Sequence, residues 1–454
     1  MSESRFYVCL LLILITSACA TTAPVPTPKQ ITVTLQYGEP FQHIPATADI
    51  VMYEINPGAF SISGNFNGIT AGLDSIKSLG INTIWLMPVF PIGSIKSFGS
   101  PYCVKNYTEL NPEYGTLTDY RNLVSEAHKR DIAVIMDWVG NHTSWDNPWI
   151  QNKSWYTQDA NGNIISPAGT NWTDVADLNY SNKDMRAEMI KAMKFWALTA
   201  NIDGFRCDAA DLIPYDFWKQ AIDTLQNMKG RNFILLAEGS RTDHFTAGFQ
   251  LNYAWDFLNT IKNVFIGGNP AGQIFVTNTA EYSRLNPNNR KLRFTTNHDE
   301  SGIATPVELF KGIQGAMAAS VITICMHGAP LLYCGQEIGV SNRFMYSSQR
   351  PIDWSINTDT RNIYRQILRF YNSSNALRNG TLHTYSDNNI LAFNKTYQDE
   401  NVLILVNCRN KITAFSLPAP FINSSWSNIT DLTTVTLGSS ITLQPYQFYI
   451  LKAL

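Results

Sequence analysis

The stretch NIDGFRCDAADLIPYDFW, residues 201–218, places an arginine and an aspartate two positions apart at the end of an apolar run. On a β-strand, residues i and i+2 point to the same face of the sheet, so Arg206 and Asp208 share one face. If that face lies inside a barrel, a cation and an acid are buried together. This pattern fits either a structural ion pair or an enzyme that keeps a carboxylate ionised for nucleophilic attack.

The stretch belongs to a series of eight apolar runs of strand length, most of them separated by amphipathic stretches such as 120–130, 184–200 and 215–229. Eight strands alternating with helices predict an α/β fold, a (β/α)8 TIM barrel. The runs lie at 50–55, 81–89, 131–138, 201–208, 232–239, 248–255, 291–299 and 330–337.

The barrel is predicted over residues 46–378, with a short inserted subdomain after strand 3 at about 139–184. The tryptophans of this insert are expected to form mainly its own core. After residue 378 the helical stretches give way to short strand-like runs between turn residues. This change predicts a C-terminal all-β sandwich domain over 379–454.

The N-terminus is predicted to carry a targeting signal. Residues 1–19 contain an apolar run, too short to span a bilayer comfortably, that ends in small residues as a signal peptide does. Its end, ITSAC, is similar to a bacterial lipoprotein box with Cys19 as the lipidated residue, and the Pro/Thr-rich stretch in 20–45 is typical of a tether. We expect an exported chain, lipid-anchored in the cell envelope (periplasm or surface) or otherwise secreted, with membrane attachment only through the lipid.

Charge and composition argue against several partners. The chain has 34 Lys and Arg against 36 Asp and Glu and no basic run, so no nucleic-acid partner is expected. Its 11 Trp and 20 Tyr favour a carbohydrate or another flat ligand, although core packing accounts for most aromatic residues. The scattered cysteines indicate neither a disulfide framework nor a zinc site. We expect a monomer without an organic cofactor.

Carboxylates follow four of the predicted strands at their C-terminal ends. Active sites of TIM barrels lie on that face and combine several strand ends. A single aspartate there is most often a helix cap, but four carboxylates on different strands indicate acid–base and nucleophilic chemistry. These carboxylates are Asp137, Asp208, Glu238 and Asp299, and two histidines, His142 and His298, accompany them.

Two rival chemistries are less well supported by the motifs. Metal-dependent hydrolysis usually has paired histidines, and neither HxH nor HExxH occurs in the sequence. Phosphate chemistry usually has a glycine-rich turn at a strand–helix junction, and none is found here. Glycoside hydrolysis instead needs two carboxylates at the scissile bond, one ionised and one protonated.

Four motifs make the sequence similar to a known family. DWVGNH (137–142), GFRCDAA (204–210), AEGS (237–240) and TTNHDE (295–300) resemble, in order and spacing, the motifs of the α-amylase family, glycoside hydrolase family 13. The resemblance extends over nearly the whole mature chain. It implies a retaining hydrolase that cleaves the α-1,4-glucosidic bonds of starch, glycogen or maltooligosaccharides.

The resemblance assigns three catalytic roles. Asp208 would be the nucleophile that forms a covalent glycosyl-enzyme, and Glu238 the general acid/base. Asp299 would be the third carboxylate, which grips sugar hydroxyls and favours ring distortion. Retention predicts that the Asp208 and Glu238 carboxyl groups lie about 5–5.5 Å apart.

The resemblance also assigns substrate contacts. Tyr102 would stack under the sugar ring on the cleaved side, where His142 and His298 would hydrogen-bond the same sugar. Arg206 would orient the nucleophile. Asp137 is interpreted as support, because it can brace Arg206 or the end of its own strand.

Other features leave alternatives open. Asn141 and Asp177 match two ligands of a Ca²⁺ site of many relatives, and their oxygen atoms suit that ion. Asp211 and Leu212 replace a polar pair common after the nucleophile, which weakens inferences about the leaving-group side. An α-glucosidase or an α-glucan transglycosylase acting on short oligosaccharides is an alternative, because these enzymes differ from an amylase in how their acceptor subsites treat water and a sugar hydroxyl. A non-catalytic glucan-binding lipoprotein is the third interpretation, although a binder needs no nucleophile beside an acid.

Overall fold

The computed structural model describes residues 36–454. Eight parallel strands close into a barrel, and a pair of antiparallel strands interrupts them after the third barrel strand. The ten strands are β1 (Met52–Ile55), β2 (Thr83–Leu86), β3 (Ala133–Trp138), β4 (His142–Ser144), β5 (Val175–Asp177), β6 (Gly204–Cys207), β7 (Ile234–Ala237), β8 (Leu251–Tyr253), β9 (Arg290–Arg293) and β10 (Ala329–Tyr333).

The barrel closes in the order β1-β2-β3-β6-β7-β8-β9-β10, with β10 returning to β1, so each of the eight predicted runs forms one barrel strand. The predicted TIM barrel is therefore confirmed. The helices are α1 (Phe66–Leu79), α2 (Leu117–His128), α3 (Lys183–Thr199), α4 (Tyr215–Gln226), α5 (Asp243–Ala247), α6 (Trp255–Phe265), α7 (Gln273–Tyr282), α8 (His298–Ile303), α9 (Pro306–Leu309), α10 (Ile313–Cys325), α11 (Thr358–Ser373) and α12 (Asn375–Asn379).

Successive side chains of each barrel strand point alternately inward and outward, which gives two layers of side chains. Large apolar residues such as Trp85, Ile135 and Leu292 fill the barrel interior, while the intervening residues pack against the surrounding helices. On β6, Phe205 belongs to the outer layer, so its neighbour Arg206 points inward. In the register between β3 and β6, Asp137 lies beside Arg206. The pleat and register therefore bring these two charged side chains together inside the barrel.

The segment between β3 and α3 forms the predicted insert. Its strands β4 and β5 pair antiparallel, and two short 3-10 turns follow β4 at Pro148–Gln151 and Lys153–Trp155. Trp149 and Trp155 pack edge to face with ring centroids 5.3 Å apart, but both rest on the main apolar cluster that surrounds the barrel, with Trp149 4.9 Å from Tyr107, and do not form a separate core of the insert. Trp172 differs, because it is 36% exposed and faces the top of the barrel.

The C-terminal region is all-β, as predicted. A six-stranded antiparallel sheet in the order β11-β12-β13-β18-β15-β16 and a two-stranded sheet, β14-β17, enclose a separate apolar core that includes Leu405, Phe421 and Trp426. The strands are β11 (Thr381–Tyr385), β12 (Ile390–Tyr397), β13 (Glu400–Asn407), β14 (Thr413–Ser416), β15 (Ser424–Asn428), β16 (Thr434–Leu437), β17 (Ser440–Leu443) and β18 (Phe448–Ala453).

The predicted signal peptide with Cys19, and the predicted tether up to residue 35, lie outside the described residues. The last part of the predicted tether, residues 36–45, contacts the barrel. The Tyr37 N–H donates to the Leu198 carbonyl at 2.8 Å, and the Phe41 ring stacks on His128 at 4.4 Å. Within residues 36–454, no helix combines the length and the apolar character that crossing a membrane requires.

Candidate active site

The guanidinium of Arg206 lies at the centre of the strand-end carboxylates and is fully buried. Its Nη1 donates to Asp208 Oδ1 at 2.8 Å and to Asp137 Oδ1 at 2.9 Å. Its Nη2 forms an ion pair with Glu238 Oε2 at 2.9 Å, and its Nε donates to the Tyr253 hydroxyl at 3.1 Å. One buried cation therefore gathers three acids from three neighbouring strands, as the strand-end pattern predicts.

The backbone places the two predicted catalytic carboxylates. The sheet hydrogen bonds continue one residue beyond β6 and β7, where the Asp208 N–H donates to the Trp138 carbonyl and the Glu238 N–H to the Cys207 carbonyl, each at 2.9 Å. Ala209 adopts a left-handed conformation (φ +44°), which is rare for a residue with a Cβ. Its N–H donates to Glu238 Oε2 at 2.7 Å, so this backbone turn holds the Glu238 carboxylate in place.

The electrostatics of the cluster favour the retention of a proton. Burial raises the pKa of the Asp208 carboxyl well above its ordinary value, and the nearby Arg206 guanidinium opposes that shift. Burial likewise raises the pKa of Asp137, again opposed by Arg206. Because three carboxylates surround a single guanidinium, full ionisation leaves an excess of negative charge. Such a cluster can hold one ionised and one protonated carboxyl group together.

His298 is held between two acids and a tyrosine. Its Nδ1 lies 2.5 Å from Glu54 Oε1, and its Nε2 lies 2.7 Å from the Tyr102 hydroxyl and 3.4 Å from Asp299 Oδ1. Burial alone lowers the pKa of His298, but the carboxylates of Asp299 and Glu54 outweigh burial and raise this pKa to about 9. His298 is therefore protonated at neutral pH and can donate hydrogen bonds into the site.

His142 lies in a different electrostatic environment. Its Nε2 lies 3.2 Å from the Tyr102 carbonyl, and no carboxylate contacts its ring among residues 36–454. Burial lowers the pKa of His142 to about 4, so the imidazole is neutral at pH 7. The two predicted sugar-binding histidines thus differ in charge, because only one of them has a buried acid beside it.

These groups line an open cleft of about 660 Å³ at the C-terminal end of the barrel. Asp208, Glu238 and Asp299 all reach the cleft, and Arg206 lies beneath them. Asp299 is the most open of the three, with 44% of its side chain exposed. The other predicted contacts in the lining are Tyr102, His142 and His298.

Three residues of this site were not predicted from the sequence. Glu54, at the end of β1, is fully buried against His298, and its Oε2 has no hydrogen-bond partner among the described residues. Trp172 and Asp174 belong to the insert and line the cleft beside His142. The strand-end rule that identified the other carboxylates also applies to Glu54, whereas the two insert residues have no comparable signal.

Asn141 and Asp177 lie next to each other at the base of the insert. Asn141 directly precedes β4, and Asp177 ends β5, where it pairs in register with His142. Asp177 is half-buried, burial raises its pKa, and it has no ion-pair partner among residues 36–454. The Asp177 carboxylate accepts a hydrogen bond from the Thr157 side chain, and a half-buried carboxylate without a cationic partner is a suitable ligand for a hard cation such as Ca²⁺. The same part of the chain contains no cluster of three or more His, Cys, Asp or Glu side chains suited to a metal.

The Glu54 contact leads to a testable expectation. We expect Glu54→Gln to move the alkaline limb of the kcat/KM profile toward lower pH by about one to three units. The reason is that loss of this carboxylate lowers the pKa of His298, so the imidazolium loses its proton at a lower pH. The measurement is kcat/KM on soluble starch across the alkaline range.

Glu337→Gln is the matched control for this pH shift. Glu337 is also buried at this end of the barrel, but it accepts hydrogen bonds from the Tyr53 hydroxyl at 2.6 Å and the Gly335 N–H at 3.0 Å and does not contact His298. An equal displacement of the alkaline limb in both variants would contradict a specific effect of Glu54 on His298.

Comparison with known proteins decides the family. The model of the alpha-amylase catalytic domain matches residues 37–163 and 169–415. The chain belongs to the alpha-amylase family. The model of the maltogenic amylase C-terminal domain matches residues 382–450, within the antiparallel β region. The predicted family, and with it the prediction of a glycosidase, is therefore confirmed.

Individual members of the alpha-amylase family are also similar to this chain over most of its length. The chain is 29% identical to Alpha-amylase 2 of Dictyoglomus thermophilum over 78% of its own length and 66% of that protein. It is 28% identical to Alpha-amylase 3 of the same organism, over 82% of this chain and 86% of that protein. The crystal structure of the noncanonic maltogenic alpha-amylase AmyB from Thermotoga neapolitana has a TM-score of 0.81 at 24% identity, covering 90% of this chain and 99% of that one, which supports the fold alone.

Proposed function

We propose that the chain is a retaining hydrolase of α-1,4-glucosidic bonds in starch, glycogen or maltooligosaccharides. The observation that carries the proposal is the shared guanidinium. Asp208 and Glu238 both lie within 2.9 Å of Arg206 at the floor of an open cleft, with Asp299 in the same lining. A nucleophile, an acid and a third carboxylate in one cleft are the groups that this reaction requires.

In the first step, Glu238 protonates the glycosidic oxygen while Asp208 attacks the anomeric carbon. Arg206 binds Asp208 Oδ1, which leaves Oδ2 for the attack. The bond between the anomeric carbon and the leaving oxygen breaks as the bond to Asp208 forms. The leaving chain departs with the proton of Glu238, and positive charge develops on the sugar ring beside the carboxylate of Asp299.

In the second step, the ionised Glu238 accepts a proton from water, and the resulting hydroxide attacks the anomeric carbon. The ester bond to Asp208 breaks, and Arg206 stabilises the carboxylate that is released. Glu238 is protonated again, and the product keeps the α configuration because two inversions have occurred. The protonated His298, held by Glu54 at Nδ1 and by the Tyr102 hydroxyl at Nε2, keeps a positive charge beside the substrate during both steps.

Product analysis tests this proposal directly. The purified mature chain is incubated with soluble starch and, separately, with maltoheptaose, with Asp208→Asn as the inactive control. A range of maltooligosaccharides released first as the α anomer supports the proposal. Glucose alone, or products longer than the maltoheptaose supplied, supports an α-glucosidase or a transglycosylase instead. No product with starch binding retained supports a non-catalytic glucan-binding protein.

We further propose that Asn141 and Asp177 hold a Ca²⁺ ion between the insert and the barrel. The support is the half-buried carboxylate of Asp177, which accepts a hydrogen bond from the Thr157 side chain but has no ion-pair partner among residues 36–454. Asn141 lies at the neighbouring position of the β4–β5 pair, where its backbone carbonyl accepts from the Leu178 N–H at 3.2 Å. Backbone carbonyls and water would complete the six to eight oxygen ligands that the ion takes. The ion would neutralise Asp177 and stabilise the insert without taking part in bond cleavage.

Calcium removal has a defined expected outcome. We expect excess Ca²⁺ to raise the melting temperature of EDTA-treated chain by several degrees, because binding stabilises the folded state alone. Asp177→Asn should abolish that rise, whereas Asp159→Asn, in an exposed turn of the same insert, should preserve it. Equal responses of both variants to Ca²⁺ would contradict the assignment.

We also propose that the chain is exported and lipid-anchored through Cys19, which the small-residue box before that cysteine supports. Metabolic labelling with a radioactive fatty acid tests this proposal. Label on the wild type but not on Cys19→Ala supports the lipid anchor, and release of an unlabelled wild type into the medium supports plain secretion.

A further inference from the structure

The turn that follows the proposed nucleophile Asp208 is bonded to the loop that carries Glu238. The Ala210 N–H donates to the Glu238 carbonyl at 2.9 Å, and the Ala209 N–H donates to the Glu238 carboxylate at 2.7 Å. The Glu238 N–H in turn donates to the Cys207 carbonyl at 2.9 Å. The position of Glu238 relative to Asp208 therefore depends on contacts between these two loops.

Asp211 extends this connection beyond Glu238. Its Oδ2 accepts a hydrogen bond from the Ser240 N–H at 3.0 Å, and its Oδ1 accepts one from the Arg241 N–H at 3.2 Å. Hydrogen bonds from a backbone N–H to an ionised carboxylate are stronger than those between neutral groups. One carboxylate therefore holds the two residues that follow Gly239, where the chain leaves β7.

Gly239 gives Asp211 the space for this contact. Gly239 has a φ of +154°, and a Cβ at its position would lie 2.4 Å from Asp211 Oδ1. Any side chain there would displace the Asp211 carboxylate, so only glycine permits this close approach. The motif AEGS thus places a residue without a side chain between Glu238 and the two N–H groups that Asp211 binds.

No arginine or lysine side chain pairs with the Asp211 carboxylate among residues 36–454. His244 is buried with its Nε2 3.4 Å from Asp211 Oδ1, but burial lowers the pKa of His244, so this ring is neutral at pH 7. The Arg241 guanidinium donates to the Asp211 backbone carbonyl at 3.0 Å and pairs with Asp243 at 2.6 Å. The close hydrogen-bond partners of the Asp211 carboxylate are therefore backbone groups of the Glu238 loop.

This connection bears on the proposed proton transfer. A general acid must lie within hydrogen-bond distance of the leaving oxygen, and a misplacement of about 1 Å can lower the rate about 10²-fold. We propose that Asp211 is a positioning residue, which directs the Glu238 carboxyl group toward the leaving oxygen by holding the Ser240 and Arg241 N–H groups. Asp211 itself takes no part in bond cleavage. This inference rests on the proposed function, which gives Glu238 its role.

The test measures kcat/KM on soluble starch for Asp211→Ala in two backgrounds, the wild type and Glu238→Gln. In the wild type, we expect the substitution to lower kcat/KM about 10- to 100-fold. In Glu238→Gln, which has no proton to deliver, the same substitution should change kcat/KM less than about twofold. The reason is that two substitutions acting through one group are not additive.

A second substrate and a second variant show that the rest of the site is retained. On α-maltosyl fluoride, kcat/KM of Asp211→Ala should fall less than about threefold, because fluoride can leave without being protonated and Asp208 still attacks. Asp211→Asn keeps one oxygen that can accept one of the two N–H groups. Its loss on starch should therefore lie between those of the wild type and Asp211→Ala.

Asp216→Asn is the matched control. Asp216 is an exposed acid of α4 that pairs with Arg186 at 2.6 Å and does not contact residues 238–241. This variant should retain kcat/KM on both substrates and in both backgrounds.

Three results would overturn the proposal. An equal fold loss from Asp211→Ala in both backgrounds would mean that Asp211 contacts the leaving chain or supports the fold without acting through Glu238. An equal loss on starch and on α-maltosyl fluoride would mean a general loss of the active site. Unchanged starch hydrolysis by Asp211→Ala would mean that the loop keeps its position without this carboxylate.

Failure of the proposed function gives a different result. If Glu238→Gln hydrolyses starch as fast as the wild type, Glu238 is not the general acid, and both the proposed reaction and this inference are wrong. If Glu238→Gln is impaired but Asp211→Ala causes the same fold loss in both backgrounds, the proposed reaction stands and this inference is wrong.

Discussion

Asp208→Asn is expected to lower kcat on soluble starch by at least about 10⁴-fold, the range found when a nucleophile is removed from an enzyme site. The amide is neutral and a poor nucleophile, so the covalent glycosyl-enzyme does not form. Asn has nearly the same shape and can still accept the hydrogen bond from Arg206 Nη1 through its Oδ1. The loss should therefore appear in kcat, with KM changed little.

The same substitution should leave stability unchanged or increase it. Because burial raises the pKa of Asp208 above its unfolded value, its ionised form is disfavoured by folding, and this loss of stability grows as the pH rises through the folded pKa. Asn removes that unfavourable term at neutral pH. We expect a melting temperature equal to or above that of the wild type at pH 7, which is the behaviour of a residue kept for activity.

Asp174→Asn is the matched control for the loss of activity. Asp174 is also an acid buried in the cleft lining, but it does not contact Arg206. Its replacement is expected to alter KM more than kcat, because it can touch the substrate but not the reacting atoms. A residual kcat of Asp208→Asn comparable to that of Asp174→Asn would show that Asp208 is not the nucleophile.

The sequence predicts the barrel and its central carboxylates because both follow from local rules. Apolar runs of strand length at regular intervals can be recognised without knowledge of tertiary contacts. Parallel strands in a barrel place their C-terminal ends together, so Asp137, Asp208 and Glu238 are expected to meet. The two-residue spacing of Arg206 and Asp208 already implies a shared face. The prediction that these side chains lie together therefore rests on backbone geometry alone.

Other parts of the site depend on packing that the sequence does not encode locally. Glu54 lies near the C-terminal end of an apolar run, but its importance comes from contact with His298, 244 positions away. Trp172 and Asp174 lie in an insert without periodicity, so nothing in their surroundings distinguishes a cleft wall from a small core.

Glu238→Gln is expected to separate the two steps of the proposed reaction. On soluble starch, kcat/KM should fall about 10²- to 10⁴-fold, because the glutamine amide cannot protonate the glycosidic oxygen. On α-maltosyl fluoride, the rate of the first step should fall much less, since fluoride can leave without being protonated by a general acid. Gln can still accept the Ala209 N–H that Glu238 Oε2 accepts at 2.7 Å, so the fold of the turn should be retained.

The second step should then become limiting for this variant. Without the Glu238 carboxylate, no base activates water, so the ester at Asp208 should accumulate. Rapid mixing with α-maltosyl fluoride is expected to release one equivalent of fluoride in a burst, and intact-mass measurement should find one maltosyl group per chain. Asp208→Asn combined with Glu238→Gln should give neither signal, because the group that carries the sugar is absent. Equal losses on starch and on the fluoride, without a burst, would instead mean that Glu238 supports the site and does not transfer the proton.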